Sequence, residues 1–226
     1  MKLSPNTLTV LKNFASINDN LVVDAGSTLQ TINEQKTLLA NATVEENFPQ
    51  RFGIFKLNEF LAVYSQLERQ YGEPDLNFKD NSVVMSVSDN ETVYPYSEPS
   101  VLSYPDKQVS LPSSDVVVTI TQELLANVLS MASVYKLAKI RIQSTGKGKT
   151  VLAAFDENDG MRQSSNKLDH QTDKVFDIHF SISNLKMVPA DYEVSISKKF
   201  ISKWDNKSDC KVDYFVAIEK SATFND

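Results

Sequence analysis

In the segment SPNTLTVLKNFASIN, apolar residues fall at Val10, Leu11, Phe14 and Ile17, with Thr9, Lys12, Asn13 and Ser16 between them. This is the spacing of a helix with one buried face. Ser4 is a favourable N-cap and Pro5 a favourable first helical residue, so the pattern predicts a helix beginning at Pro5. Short strand-like runs follow between turn residues: NLVVDAG, KTLLANATVE and RFGIFKL. A second helical pattern, NEFLAVYSQLERQ, leads to the strand candidates DLNFKD, NSVVMSVSDN and TVYPY.

The pattern then breaks. The stretch SEPSVLSYPDKQVSLPSSD carries Pro99, Pro105 and Pro112 among serines. Proline at that density disfavours helix and central strand alike, so residues 98–115 read as an extended connector between a domain at 1–97 and another at 116–226. Beyond it the order repeats. TITQELLANVLSMASVYK reads as a helix capped by Thr121, with an apolar face of Leu124, Leu125, Val128, Met131, Ala132 and Tyr135. Asn127, Ser130 and Ser133 form its polar face. The strand candidates KIRIQS, TVLAAFD and KVFDIHFS precede a short helix candidate, SNLKMV, and then DYEVSIS, FISKW and VDYFVAIEK. FGIFKLNEFLAV from Phe52 parallels FDIHFSISNLKMV from Phe176, each a strand running into a helix. The whole is an α+β chain with an internal duplication.

Length and composition fit this reading. The 226 residues allow two domains of roughly 110 each, and 41% apolar with 23% charged residues is ordinary for a globular protein. No run approaches the roughly 18 apolar residues of a membrane span. MKLSPNTLTV lacks the apolar core of a signal peptide, and the single cysteine, Cys210, permits no intrachain disulfide. A cytoplasmic protein is expected. A net charge of −6 argues against a small reader of duplex DNA that holds on by neutralising phosphates.

Candidate chemistry is thin. IQSTGKGKT ends like a phosphate-binding P-loop, but the pattern G-x-x-x-x-G-K-[ST] requires a glycine where Gln143 stands. No helix pattern follows Thr150 to aim its N-terminus at a phosphate. A glycine-rich hairpin turn between two strands is expected instead. DENDG at 156–160 begins like a calcium loop, yet the positions that need an acid or Asn and a Glu hold Gly160 and Lys167. His170 and His179 have no second ligand at metal spacing and belong to no nucleophile motif. No catalytic residue, metal or cofactor is expected. The polar helix faces say more. In an acidic chain they are neutral to basic: Lys12 with no acid on the first helix, Lys136 and Lys139 just past the later one, where Glu123 is the only acid, and Lys186 in SNLKMV. The helix NEFLAVYSQLERQ departs from this, with Glu59 and Glu68 beside Arg69.

MKLSPNTLTVLKNFASIN, SNLKMVPADYEVSIS and VDYFVAIEKSATFND together resemble the DNA polymerase sliding clamps of T4-like bacteriophages, in order and position along the whole chain. That resemblance implies the DNA-clamp fold: two duplicated domains, each with two helices on antiparallel sheets, and three subunits closing head to tail into a ring. It implies a non-enzymatic protein of the host cytoplasm, virus-encoded and absent from the virion. Such a protein encircles duplex DNA without regard to sequence, tethers the DNA polymerase and is opened by an ATP-hydrolysing clamp loader. Lys12, Lys136, Lys139 and Lys186 would then face the DNA. A partner's C-terminal peptide would dock in a pocket of Leu102, Tyr104 and Pro105 on the connector with Tyr214 and Val216 on the last long strand. The competing reading is a protein-binding scaffold of duplicated α+β domains that never touches DNA.

Overall fold

The computed structural model describes residues 1–107, 109–159 and 163–225. It divides into two compact units, one of Met1–Gln108 with Cys210–Val212, the other of Val109–Asp209 with Asp213–Asp226.

The first unit runs α1 (Pro5–Ile17), β1 (Leu21–Val23), β2 (Gly26–Ile32), β3 (Leu38–Phe48), β4 (Phe52–Ile54), α2 (Leu57–Tyr71), β5 (Asp75–Phe78), β6 (Ser82–Val87) and β7 (Asn90–Pro95). Its strands pair antiparallel in the orders β4-β1-β2-β3 and β5-β6-β7. The second unit runs β8 (Val116–Ile120), α3 (Gln122–Tyr135), β9 (Lys139–Thr145), β10 (Thr150–Phe155), β11 (Gln163–Leu168), β12 (Val175–Ser181), β13 (Tyr192–Ser197), β14 (Ile201–Asn206), β15 (Val212–Ala217) and β16 (Thr223–Asn225). Here the antiparallel orders are β11-β10-β9-β12-β16 and β15-β14-β13-β8.

These orders are the same arrangement twice. β4-β1-β2-β3 corresponds to β12-β9-β10-β11, and β5-β6-β7 to β13-β14-β15. α1 lies on β2 and β3, as α3 lies on β10 and β11. Even β8 has a counterpart. The Met1 amine donates to the Leu76 carbonyl at 2.9 Å, and the Leu76 amide donates to the Met1 carbonyl at 2.7 Å, so the N-terminus lines β5 as β8 lines β13.

The structure departs from the expected elements in three ways. The second helix of the second half is a single 3-10 turn, Ile182–Asn184, because Pro189 follows closely and the residue before a proline avoids helical geometry. Strands β2, β8, β11 and β16 stand where no strand was expected. The sequence of β11, QSSNKL, is polar, and a strand held by backbone pairing at a sheet edge needs no apolar alternation. α3 buries only Leu125, Val128 and Ala132 and leaves Met131, Val134 and Tyr135 exposed, a narrower stripe than expected. The connector region is partly structured. Pro99–Val101 forms a 3-10 turn, and the Ser97 amide donates to the Gly53 carbonyl at 2.9 Å. A Cβ on Gly53 would fall on the Ser97 carbonyl oxygen and lie 2.7 Å from Leu102 Cδ1, so only glycine admits this approach.

The cores are aromatic as well as aliphatic. In the second unit the Trp204 ring meets Phe180 at 5.5 Å and Tyr192 at 6.0 Å between centroids. The tyrosine hydroxyls beside it are satisfied: Tyr192 donates to the Val188 carbonyl at 2.5 Å, and Tyr214 accepts from the Val188 amide at 3.0 Å. In the first unit α1 is tied to β3 by one carboxylate. Buried Glu46 accepts from the Ser4 amide and the Thr7 hydroxyl, while the Ser4 hydroxyl caps the Thr7 amide at 3.2 Å. A carboxylate at a helix N-terminus satisfies open donors and meets the positive end of the helix dipole. Glu46→Ala should lower the stability of the first unit by about 2–3 kcal/mol, read as an earlier urea midpoint. Asn6→Ala, at the exposed start of the same helix, should move it little.

Candidate nucleic-acid and partner surfaces

α1 is positioned by its buried stripe, Thr7, Val10, Leu11, Phe14, Ala15 and Ile17, which turns Thr9, Lys12 and Ser16 outward. No acidic residue lies on this helix. On α3 the same placement exposes Asn127, Ser130 and Ser133. Lys136 follows as the helix C-cap in the left-handed conformation, φ 55° and ψ 41°, its amide donating to the Ala132 and Ser133 carbonyls. Lys12 and Lys136 are both exposed and form no ion pair among the described residues. Lys186 is exposed after the 3-10 turn.

Lys139 is differently placed. It stands on β9, and its ammonium lies 2.6 Å from Glu157 and 3.5 Å from Glu219. The hydrogen bond to Glu157 raises the Lys139 pKa above its ordinary value. Glu157 is held below the usual carboxylate range, first by that bond and then by the Ser221 hydroxyl. Two carboxylates thus match this cation, and it offers no net positive charge to a polyanion.

The expected partner pocket also resolves differently. Tyr214 and Val216 are fully buried, because these β15 side chains turn into the core of the second unit, so neither lines a surface. Leu102 is buried against Gly53. Tyr104 and Pro105 remain, and they line a cleft of about 260 Å³ with Val22, Asp24, Ser27 and Gln30 from the β1–β2 hairpin. The Arg51 guanidinium sits 5.2 Å from the centre of the Tyr104 ring and its Nε 3.3 Å from Asp24. Sequence spacing could not have found Asp24, Ser27 or Arg51, since the β1–β2 hairpin and the turn before β4, both far along the chain, bring them to the connector.

The segment that resembled a P-loop is the β9–β10 hairpin, with Ser144 opposite Thr150. Gly146 and Gly148 take positive φ, 72° and 67°. A Cβ on Gly146 would meet the Asp173 carbonyl oxygen at 2.7 Å. Lys147 and Lys149 project from an exposed turn, and β10 rather than a helix follows. Of the DENDG motif, Gly160 lies outside the described residues, and Asp156 accepts from the Asn158 amide at 2.9 Å. Among the described residues no group of three His, Cys, Asp or Glu side chains is placed to hold a metal. His179 is buried in β12, its Nδ1 2.9 Å from the Ser221 hydroxyl and its Nε2 3.0 Å from Asp177, off line for a hydrogen bond. Its ring packs against Phe155 at 4.8 Å. With Glu157 and Lys139, this cluster fastens the C-terminal segment.

The two-fold repeat of helix-backed antiparallel sheets is the DNA-clamp fold. Solved structures agree over nearly the full chain. Proliferating cellular nuclear antigen from Entamoeba histolytica superposes with a TM-score of 0.69 at 16% identity, covering 94% of both chains. The DNA polymerase sliding clamp of Caulobacter crescentus gives 0.69 at 14%, covering 95% of this chain and 63% of that one. The sequence is more specific. The chain is related to the sliding clamps of Vibrio phage KVP40, 28% identical over 227 residues, and Escherichia phage RB69, 25% over 232, with 97% or more of each chain covered. The sliding clamp of Enterobacteria phage T4 is 25% identical over 232 residues. No protein-family model matches the chain.

Because the Glu157 pKa is depressed, its share in holding the C-terminal segment is present above the ordinary carboxylate pKa and is lost as pH falls through the lower, folded value. Hydrogen-exchange protection at 219–225, measured relative to the intrinsic rate at each pH, should therefore fall once the pH drops below the ordinary carboxylate pKa, and Lys139→Ala should lower that protection already at pH 7. The Lys139→Ala change should leave association with DNA unaltered.

Proposed function

We infer that the chain is a sliding clamp, which encircles duplex DNA and keeps a replicative DNA polymerase on its template. It is a processivity factor and not an enzyme. The observation that carries this reading is joint: the clamp fold spans the whole chain, and phage sliding clamps match it end to end at 25–28% identity. Three copies close head to tail, and an ATP-hydrolysing loader opens the ring. The protein acts where DNA is replicated in an infected host cell, which we take to be the host cytoplasm, virus-encoded and outside the virion.

The charge distribution supports this mode of holding. A closed ring retains DNA by topology, so it needs few phosphate contacts, and each added contact would strengthen a salt-dependent attraction that slows sliding. A net charge of −6 with acid-free α1 suits such a ring. Lys12, Lys136 and Lys186 are the cations we assign to the DNA side. Hydroxyl and amide groups at Thr9, Ser16, Asn127 and Ser130 offer weak contacts with no fixed register.

Retention on circular DNA is the direct test. The loaded protein should stay on a nicked circle and leave it once the circle is cut to a linear form. Equal loss from both would sink the ring. The triple variant Lys12→Ala, Lys136→Gly, Lys186→Ala should lower loading at moderate salt by about tenfold. Glycine is chosen at Lys136 because that backbone is left-handed. Unchanged loading and processive synthesis would remove these lysines from the DNA side.

A partner's C-terminal peptide is assigned to the Tyr104–Pro105 cleft, where a half-buried aromatic ring and a polar rim meet. Tyr104→Ala should weaken binding of the polymerase's C-terminal peptide by about tenfold or more, as expected for loss of an aromatic anchor, measured by calorimetry. An unchanged Kd would place the peptide elsewhere.

A further inference from the structure

We propose that Arg51 sets the ligand chemistry of the Tyr104–Pro105 cleft: its guanidinium receives a carboxylate of the docked peptide. The proposal rests on the peptide reading above and adds the group that the peptide must carry.

Every residue concerned lies in the first unit. Asp24 is the single acid among the residues that line the cleft, and Arg51 Nε already lies 3.3 Å from one of its oxygens. The other polar side chains there are Ser27, Thr28, Gln30 and the Tyr104 phenol. All of them can donate, and none has a partner among the described residues. A lysine or arginine of a peptide would meet Arg51 as a like charge and find Asp24 engaged. A wholly apolar peptide would cover these donors without pairing them, which costs free energy. An anionic acceptor suits the site instead.

Arg51 is the strongest donor on offer. Asp24 takes its Nε, which leaves two terminal amino groups with four N–H and no partner among the described residues. Two parallel N–H groups match the two oxygens of a carboxylate, and such charge-assisted pairs are stronger than neutral ones. The guanidinium lies 5.2 Å from the centre of the Tyr104 ring, so cation and ring hold one another in place. The Arg51 side chain is still 48% exposed, and a ligand can reach it.

The backbone beside Tyr104 is fixed as well. The Ser103 amide donates to Asn20 Oδ1 at 3.1 Å, and the Ser103 carbonyl accepts from Asn18 Nδ2 at 3.2 Å. Buried Asn18 caps the end of α1. It also donates to the Ile32 carbonyl at 3.0 Å, and its Oδ1 accepts from the Asn20 amide at 3.1 Å. The connector is thereby tied to α1 and β2 one residue before Tyr104. Ring and guanidinium are arranged before a ligand arrives, which lowers the ordering cost of binding. An aromatic ring with an arginine beside it is the combination that carries most energy at interfaces.

Calorimetry with a synthetic peptide copying the C-terminus of the replicative polymerase tests the assignment. Three forms are needed: unmodified, amidated at its terminus, and with Asn and Gln in place of its Asp and Glu. Arg51→Gln should raise the Kd of the unmodified peptide by about tenfold. Arg51→Lys keeps the charge without the fork and should raise it by about threefold. Removing the carboxylate that Arg51 receives should cost about tenfold on the unaltered protein and less than about twofold on Arg51→Gln. If amidation has this effect, the terminal carboxylate is the ligand group; if the Asn and Gln form has it, a side chain is. An arginine that only propped up Tyr104 would weaken all three forms alike. Equal losses on both proteins, or an Arg51→Gln Kd within about twofold of the unaltered value, would overturn the proposal. Tyr104→Ala separates the two readings. If it leaves Kd unchanged, the peptide docks elsewhere, and the cleft reading falls together with this one. If it weakens binding while Arg51→Gln does not, the cleft stands and the carboxylate assignment alone falls.

Discussion

Covering the edges of antiparallel sheets is the constraint on which the rest of this structure depends. Backbone pairing builds each sheet, and every sheet ends in a row of open donors and acceptors. The chain closes several of these with its own ends and turns: Met1 on β5, Ser97 on β4, and Lys211 against Thr43 on β3. Gly53 is required where Ser97 comes close, since any Cβ there would occupy the same space.

The helices answer a different demand. Each must bury a stripe on its sheet, and the residues left outside are then free to serve another surface. On α1 the buried stripe is anchored by Glu46 at the N-terminus, and the outward residues are neutral or basic. Lys139 shows how the local environment decides the use of a charge. It is as basic as Lys12 in the sequence, but Glu157 and Glu219 claim it, and it serves to fasten the C-terminal segment together with His179 and Ser221.

Much of the fold was legible. The capping residues Ser4 and Thr121 sit where the pattern placed them and accept from Thr7 and Leu124, because a cap is a local hydrogen bond that local sequence can specify. The GKGKT likeness resolved as a hairpin, since the missing glycine and missing helix are likewise local facts. Less legible were β11, whose polar sequence owes its strand geometry to β10, and the partner cleft, where Tyr214 and Val216 turned inward while Asp24 and Arg51 arrived from another part of the chain.

By itself the sequence determined the alternation of helix and strand, the duplication, the absence of a P-loop and the acid-free face of α1, all of which rest on spacing within a few turns of chain. Tertiary structure alone decided which lysines keep a free charge, which apolar residues line a surface and which strand edges stay open. These depend on partners far apart in sequence: a carboxylate 18 positions away neutralises Lys139, and a neighbouring strand, not composition, makes an edge of β11.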